Sequence, residues 1–104
     1  GVSTAPAHTC ADGVACRQPL PDALAIIAEG AARVIRVSDR EIAHAMRVYH
    51  ETTHNTAEGA GAAALAGLIQ EQPRQQGRRV AVILSGANID RQLYAGILAE
   101  GFDD

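Results

Sequence analysis

Two places in this sequence carry residues whose types and spacing could do chemistry. One is Ser85, which closes the apolar run Val80, Ala81, Val82, Ile83, Leu84 and is followed by Gly86. A continuous apolar run ending in a turn signal reads as a strand buried on both faces, as in parallel α/β sheets. Ligands in such sheets bind just beyond the carboxyl ends of the strands. A small hydroxyl there can donate or accept one hydrogen bond without filling the space a ligand needs. The same residues also describe an ordinary core strand with a glycine turn, so the rest of the chain has to separate the two readings.

The other place is His50-Glu51-Thr52-Thr53-His54, which matches H-E-x-x-H. On a helix that spacing puts both imidazoles on one face, as zinc proteases need, with the glutamate as general base. The context argues against it. Ala57 and Ala60 stand where the extended motif has its glycine and third histidine. Glu58 and Glu71 are the acidic candidates for a third ligand, yet neither follows on a clearly separate helix. Histidines closing a helix, where they interact with its dipole, account for the match. His8, Cys10 and Cys16 match no zinc-knuckle spacing, so no metal site is expected.

All nine basic residues are arginine, and the 104 residues contain no lysine. Schiff-base or phosphate-loop chemistry based on lysine is therefore excluded within this polypeptide. A formal net charge of −3 gives no reason to expect nucleic acid or an anionic membrane as partner. The sequence has no apolar run long enough to span a membrane, no signal-peptide pattern and no cysteine framework. A reduced, cytoplasmic protein is the default expectation.

The elements that must position these residues make one partial domain over 1–104. Residues 1–19, rich in Ala, Gly and Pro, read as an irregular lead-in. Leu20-Pro21-Asp22 starts a helix that Gly30 stops, with Leu24, Ile26 and Ile27 as its buried positions. Residues 33–37, Arg-Val-Ile-Arg-Val, form a short strand. Ser38-Asp39-Arg40-Glu41 is a capping box opening a helix to about His54, with Ile42, Met46, Tyr49 and Thr53 as its stripe. Residues 56–71 form a second long helix whose first half is nearly all Gly and Ala. Gly costs about 1 kcal/mol relative to Ala at a helical position, so these glycines predict a backbone lying close to something. Pro73, Gln75, Gln76 and Gly77 form a loop into the 80–84 strand. Asn88 or Asp90 caps a last helix with Leu93, Ile97 and Leu98 on its inner face. Two strands are too few for an independent sheet.

Three features agree on one picture: Ala11-Asp12-Gly13 in the lead-in, Glu58-Gly59-Ala60-Gly61 opening the small-residue helix, and Ser85-Gly86-Ala87-Asn88 closing the second strand. Their order and spacing over residues 2–101 resemble the C-terminal half of the catalytic core of fold-type-II pyridoxal-phosphate enzymes, nearest to the threonine/serine dehydratase and serine racemase family. The resemblance implies a portion of a three-layer αβα domain of the tryptophan synthase β type, here with about two core parallel strands and four helices. It implies that Ser85 hydrogen-bonds the pyridine nitrogen of the cofactor, that Glu58 lies beside the ring, and that Gly13 and Gly86 bring backbone close to it. Ala87 departs from the family's Ser-Gly-Gly-Asn pattern. The Schiff-base lysine, the glycine-rich phosphate loop and the first half of the core are absent from this chain, so no catalytic residue is assigned within it.

For an intact enzyme, the resemblance implies bound pyridoxal 5'-phosphate and conversion of a small hydroxy amino acid to a 2-oxo acid and ammonia by α,β-elimination. Racemisation on the same fold is the runner-up. A non-catalytic regulatory or oligomerisation module is the alternative of a different class. The chain alone is expected to be inactive, to hold no cofactor, to need the N-terminal half of the same enzyme as partner, and to self-associate.

Overall fold

The computed structural model describes Pro6 and residues 8–99. Among these residues it contains five α-helices and one 3-10 turn, Asp12–Val14. The helices are α1 (Pro21–Gly30), α2 (Asp39–Thr53), α3 (Gly59–Gln70), α4 (Gln72–Gln75) and α5 (Arg91–Ala99).

The core lies where α2 crosses α3, with α5 packed on α2. Ile42, Ala43, Ala45, Met46 and Tyr49 of α2 meet Ala62 and Ala66 of α3 and Ile97 of α5. Met46 is the largest wholly buried side chain. The floor against it is built almost entirely of alanine and glycine, so the two backbones can approach closely. The predicted stripe of α2 is right at Ile42, Met46 and Tyr49. Thr53, assigned to it, is exposed, and its hydroxyl donates to the Tyr49 carbonyl at 2.8 Å.

Local signals place the helix ends. The Ser38 hydroxyl accepts from the Glu41 amide at 3.0 Å, while the Glu41 carboxylate accepts from the Ser38 amide at 2.9 Å. The Asp90 carboxylate accepts from the Leu93 amide at 2.9 Å and caps α5. α3 begins three residues later than expected, at Gly59. The Glu58 amide donates to the Gly86 carbonyl at 3.1 Å, which holds Glu58 in extended backbone (φ −77°, ψ 168°). The expected loop at Pro73 is instead the short helix α4, with proline in its first turn where the missing N–H costs nothing. The turn after it rests on Gly77 at φ +78°.

The expected strands need correction. Neither residues 33–37 nor 80–84 form a strand, and among the described residues no backbone–backbone hydrogen bond reaches either segment. In both, exposure alternates along the chain. Val34 is 80% exposed where Val37 packs on the core, and Ile83 is 78% exposed between Val82 and Leu84, which are partly covered. Each is thus covered on one face only, not on both. A strand is defined by its ladder, and among the described residues these two have no neighbour bonded to them. α1 departs similarly. Leu24, Ile26 and Ile27, expected inside, are half or more exposed, and Leu93 of α5 is 46% exposed. The helix forms where its periodicity predicts, but no described residues cover α1.

Two contacts seat the 33–37 segment on α3. The Arg33 guanidinium makes a two-pronged ion pair with Glu71, its Nε lying 2.8 Å from Oε2. This holds the Glu71 carboxyl below the usual carboxylate range, hydrogen bonding from Arg33 being the main cause. Gln70 donates to the Arg36 carbonyl at 2.8 Å and to the Glu41 carboxylate at 3.0 Å, joining the segment, α3 and the α2 cap.

Candidate functional site

The site is built where the lead-in crosses the start of α3. The Asp39 carboxylate, in the first turn of α2, accepts from the Thr9 hydroxyl and from the Cys10 amide at 3.2 Å. The Thr9 hydroxyl accepts in turn from the Ala11 amide at 3.1 Å. Partial burial, and then the neighbouring Asp39 charge, push the Cys10 thiol above its ordinary value, so Cys10 is a packing group here and not a poised nucleophile. Ala11 is fully buried. The reason is Gly59: a β-carbon there would lie 2.8 Å from both the Ala11 α-carbon and the Cys10 carbonyl oxygen.

The lead-in then turns through Asp12–Val14 and brings Gly13 to Glu58. A β-carbon on Gly13 would stand 2.9 Å from the Ala60 methyl and 3.7 Å from Glu58 Oε2. From the other side comes the 78–90 segment. A β-carbon on Gly61 would overlap the Gly86 carbonyl oxygen, and one on Gly86 would overlap Glu58 Oε1. The glycines that look costly in a helix are therefore the points where two extended backbones cross it, one at Gly59 and one at Gly61. The Asn88 amide approaches Glu58 Oε1 at 3.4 Å, a long contact.

These approaches leave a cleft of about 290 Å³, lined among others by Cys10, Asp12, Gly13, Glu58, Asn88 and Asp90. Of the four residues singled out, Gly13 and Glu58 line this cleft. Gly86 adjoins the Glu58 side chain, but neither it nor the exposed Ser85 before it is among the residues that line the cleft. In the sequence Asp39 is readable only as part of a capping box. Its role in fixing the lead-in joins residues thirty positions apart, and no local signal announces it. Cys10, Asn88 and Asp90 look, in the sequence, like a stray thiol and two helix caps.

The H-E-x-x-H match does not become a metal site by geometry. α2 ends at Thr53, and His54 adopts the left-handed conformation with φ 58°. The two histidines therefore do not share a helical face. His50 is exposed and meets Tyr94 edge to face at 6.3 Å. Among the described residues there is no cluster of three or more His, Cys, Asp or Glu side chains able to hold a metal.

The Glu58 carboxylate borders the cleft and fills the space beside Gly86. The chain offers no lysine amine to attach an aldehyde.

Comparison with known proteins bears on the same residues. The family model described as "Pyridoxal-phosphate dependent enzyme" matches residues 1–86. The L-threonine ammonia-lyase of Geobacter sulfurreducens is 33% identical over 93 residues, covering 89% of this chain and 23% of that protein. The enzyme of the same name from Thermotoga maritima is 31% identical over 93 residues, with the same coverage. An L-threo-3-hydroxyaspartate ammonia-lyase from Pseudomonas is 31% identical over 90 residues, 86% of this chain and 28% of the relative. The chain thus spans about a quarter of the length of these relatives. No described helix is long and apolar enough to cross a membrane.

Proposed function

Because the chain belongs to the pyridoxal-phosphate dependent enzyme family, among its fold-type-II, threonine dehydratase-like members, we propose that it forms the ring-side wall of the cofactor site in an ammonia-lyase. The substrate would be a small 3-hydroxy amino acid, the class shared by threonine and the hydroxyaspartate named in its relatives. The net reaction removes the α-proton and the β-hydroxyl as water, and hydrolysis of the resulting enamine gives a 2-oxo acid and ammonia. The observation that carries this reading is that Glu58 lines one cleft with Gly13 and fills the space beside Gly86, so that three separate stretches of chain meet at its carboxylate.

Bound pyridoxal phosphate supplies an electron sink for the charge left when the α-proton departs. This chain's part is to hold and orient. Gly13 and Gly86 keep the backbone within reach of a flat ring. The Ser85 hydroxyl gives the pyridine nitrogen one neutral hydrogen bond, which, unlike a carboxylate, does not keep that nitrogen protonated. The milder sink suits elimination, where the carbanion is short-lived. The Glu58 carboxylate, fixed by the Glu58–Gly86 backbone bond, borders the ring edge. The amine that anchors the cofactor and the phosphate cradle would come from the remainder of a larger catalytic domain.

A chimera tests this. The 93 residues of the Geobacter L-threonine ammonia-lyase that match are replaced by this chain, and release of 2-oxobutanoate from L-threonine is followed. We expect turnover and a bound-cofactor absorbance. Ser85→Ala should lower turnover and loosen the cofactor while leaving the fold intact, since it removes one exposed hydroxyl. Unaltered turnover and cofactor affinity in that variant would refute the Ser85 assignment.

A further inference from the structure

The first turn of α2 carries two carboxylates with different tasks. Glu41 closes the capping box with Ser38, so the start of the helix is satisfied without Asp39. Both Asp39 oxygens instead serve the lead-in. Oδ1 accepts from the Thr9 hydroxyl, and Oδ2 accepts from the Cys10 amide at 3.2 Å. The Thr9 hydroxyl, having given its proton to Asp39, uses a lone pair to accept from the Ala11 amide at 3.1 Å. Three successive residues, 9, 10 and 11, are therefore tied to one carboxylate, directly or through one hydroxyl.

The chain just beyond this clamp forms a wall of the cleft. The Ala11 carbonyl accepts from the Val14 amide at 3.0 Å, and the Asp12 carbonyl from the Ala15 amide at 3.0 Å, which makes the Asp12–Val14 turn. Gly13 sits in that turn, with Ala60 and Glu58 nearest to its open side. Cys10, Asp12 and Gly13 are the lead-in's share of the cleft. The Ala11–Gly59 contact sets how near the chain lies to α3 but not how it is turned. Hydrogen bonds are directional, and those to Asp39 supply the orientation.

We infer that Asp39, acting through Thr9 and the Cys10 amide, is a positioning residue for the cofactor cleft, fixing the turn in which Gly13 faces Glu58. Neither Asp39 nor Thr9 lines the cleft, so both act through the turn. This role rests on the proposed function, which makes the cleft the cofactor's. An acid at the first position of a helix also meets the positive end of the helix dipole. A role confined to that would leave residues 9–15 and the cofactor undisturbed.

Two measurements separate these roles. The first is amide hydrogen exchange by mass spectrometry on the chain itself, without cofactor. Thr9→Val keeps the shape of the side chain and removes its hydroxyl, while Asp39→Ala removes the carboxylate. In both, amides of residues 9–15 should exchange faster by on the order of tenfold, as expected for losing one or two hydrogen bonds of a charged group. α2 and α3 should keep their protection. Thr9→Ser, which retains the hydroxyl, should behave as the parent. Thr9→Val decides where Asp39→Ala weakens α2, since Thr9 lies outside every helix.

The second measurement is titration of the Geobacter chimera with pyridoxal phosphate, read by affinity and by the visible circular dichroism of the bound cofactor. Thr9→Val should weaken binding by about tenfold and alter the dichroic signal, and Thr9→Ser should restore both. Parental affinity and signal in Thr9→Val would overturn the inference and leave the proposed function standing. Unchanged exchange at residues 9–15 in both variants would do the same, because the clamp would then hold nothing. A parent chimera that binds no cofactor would remove the proposed function, and this role with it, whatever the exchange shows.

Discussion

The Glu58 carboxylate occupies the space that a β-carbon on Gly86 would need, and the Glu58 amide donates to the Gly86 carbonyl at 3.1 Å. The two residues are thus fitted to each other through both backbone and side chain. The obstruction at Gly86 is the end of a flexible side chain, whereas the obstruction at Gly61 is the Gly86 backbone itself.

That difference predicts unequal costs for the same substitution. Gly61→Ala should destabilise the fold by about 2 kcal/mol or more, since overpacking against backbone forces a shift. Gly86→Ala should cost less than about 1 kcal/mol in stability but should displace Glu58, and in the chimera it should weaken cofactor retention. Urea unfolding of the two variants checks the order. Equal costs would show that the backbone crossing at Gly61 is loose enough to admit a methyl group.

Acid sensitivity should come from Glu41 and Glu71. The Ser38 amide, and then Gln70, hold the Glu41 carboxyl below its ordinary value of 4.5, and Arg33 does the same to Glu71. A carboxyl whose folded pKa is lowered stabilises the fold above its unfolded pKa. That contribution is lost as pH falls through the folded value. The urea midpoint should therefore hold from pH 7 to about pH 5 and decline below the unfolded value of about 4.5. Glu41→Gln should make the decline shallower. A midpoint unchanged down to about pH 3 would remove both carboxyls from the account.

At His54 a non-glycine residue sits at φ 58°. Left-handed backbone costs roughly 1–2 kcal/mol for an ordinary L-residue, and glycine is the usual helix terminator there. His54→Gly should raise the unfolding free energy by about 0.5–1 kcal/mol. A zinc site would respond oppositely, so stoichiometric zinc lost in His54→Gly would contradict the geometry.

The bare faces of α1 and of the extended segments, with Leu24, Ile26, Ile27, Val34 and Ile83 exposed, should make the lone chain self-associate. Light scattering should show dimers or larger species at micromolar concentrations. Ile26→Glu together with Ile83→Glu should shift it toward monomer. A strictly monomeric parent chain at high concentration would refute the expectation.

Features that depend on near neighbours are legible in the sequence. The Ser38–Glu41 box and the Pro21–Gly30 helix rest on residues within a turn or two and appear as expected, and of the two caps offered for the last helix, Asn88 or Asp90, the structure has Asp90. The glycines of α3 announce a close approach, but not that Gly59 meets Ala11 and Gly61 meets Gly86. The segments 33–37 and 80–84 fail as strands because a ladder needs a partner. Hydrophobicity along a segment says that a face wants covering, not what covers it. Among the candidate site residues, Gly13, Glu58 and Gly86 are legible together only through their family resemblance. Asp39, which fixes the lead-in from thirty residues away, leaves no trace.

The crossing of α2 on α3 also sets an order of assembly. The two helices are separated by a few residues, their packing is the most extensive among the described elements, and contacts between near neighbours close cheaply and early. This helical pair can form as soon as residues 39–70 are available. Once formed, it offers Glu71 and Gly67 to the residues before it and Gly61 to those after it. The helices then act as a jig on which the flanking segments 33–37 and 80–84 are laid out.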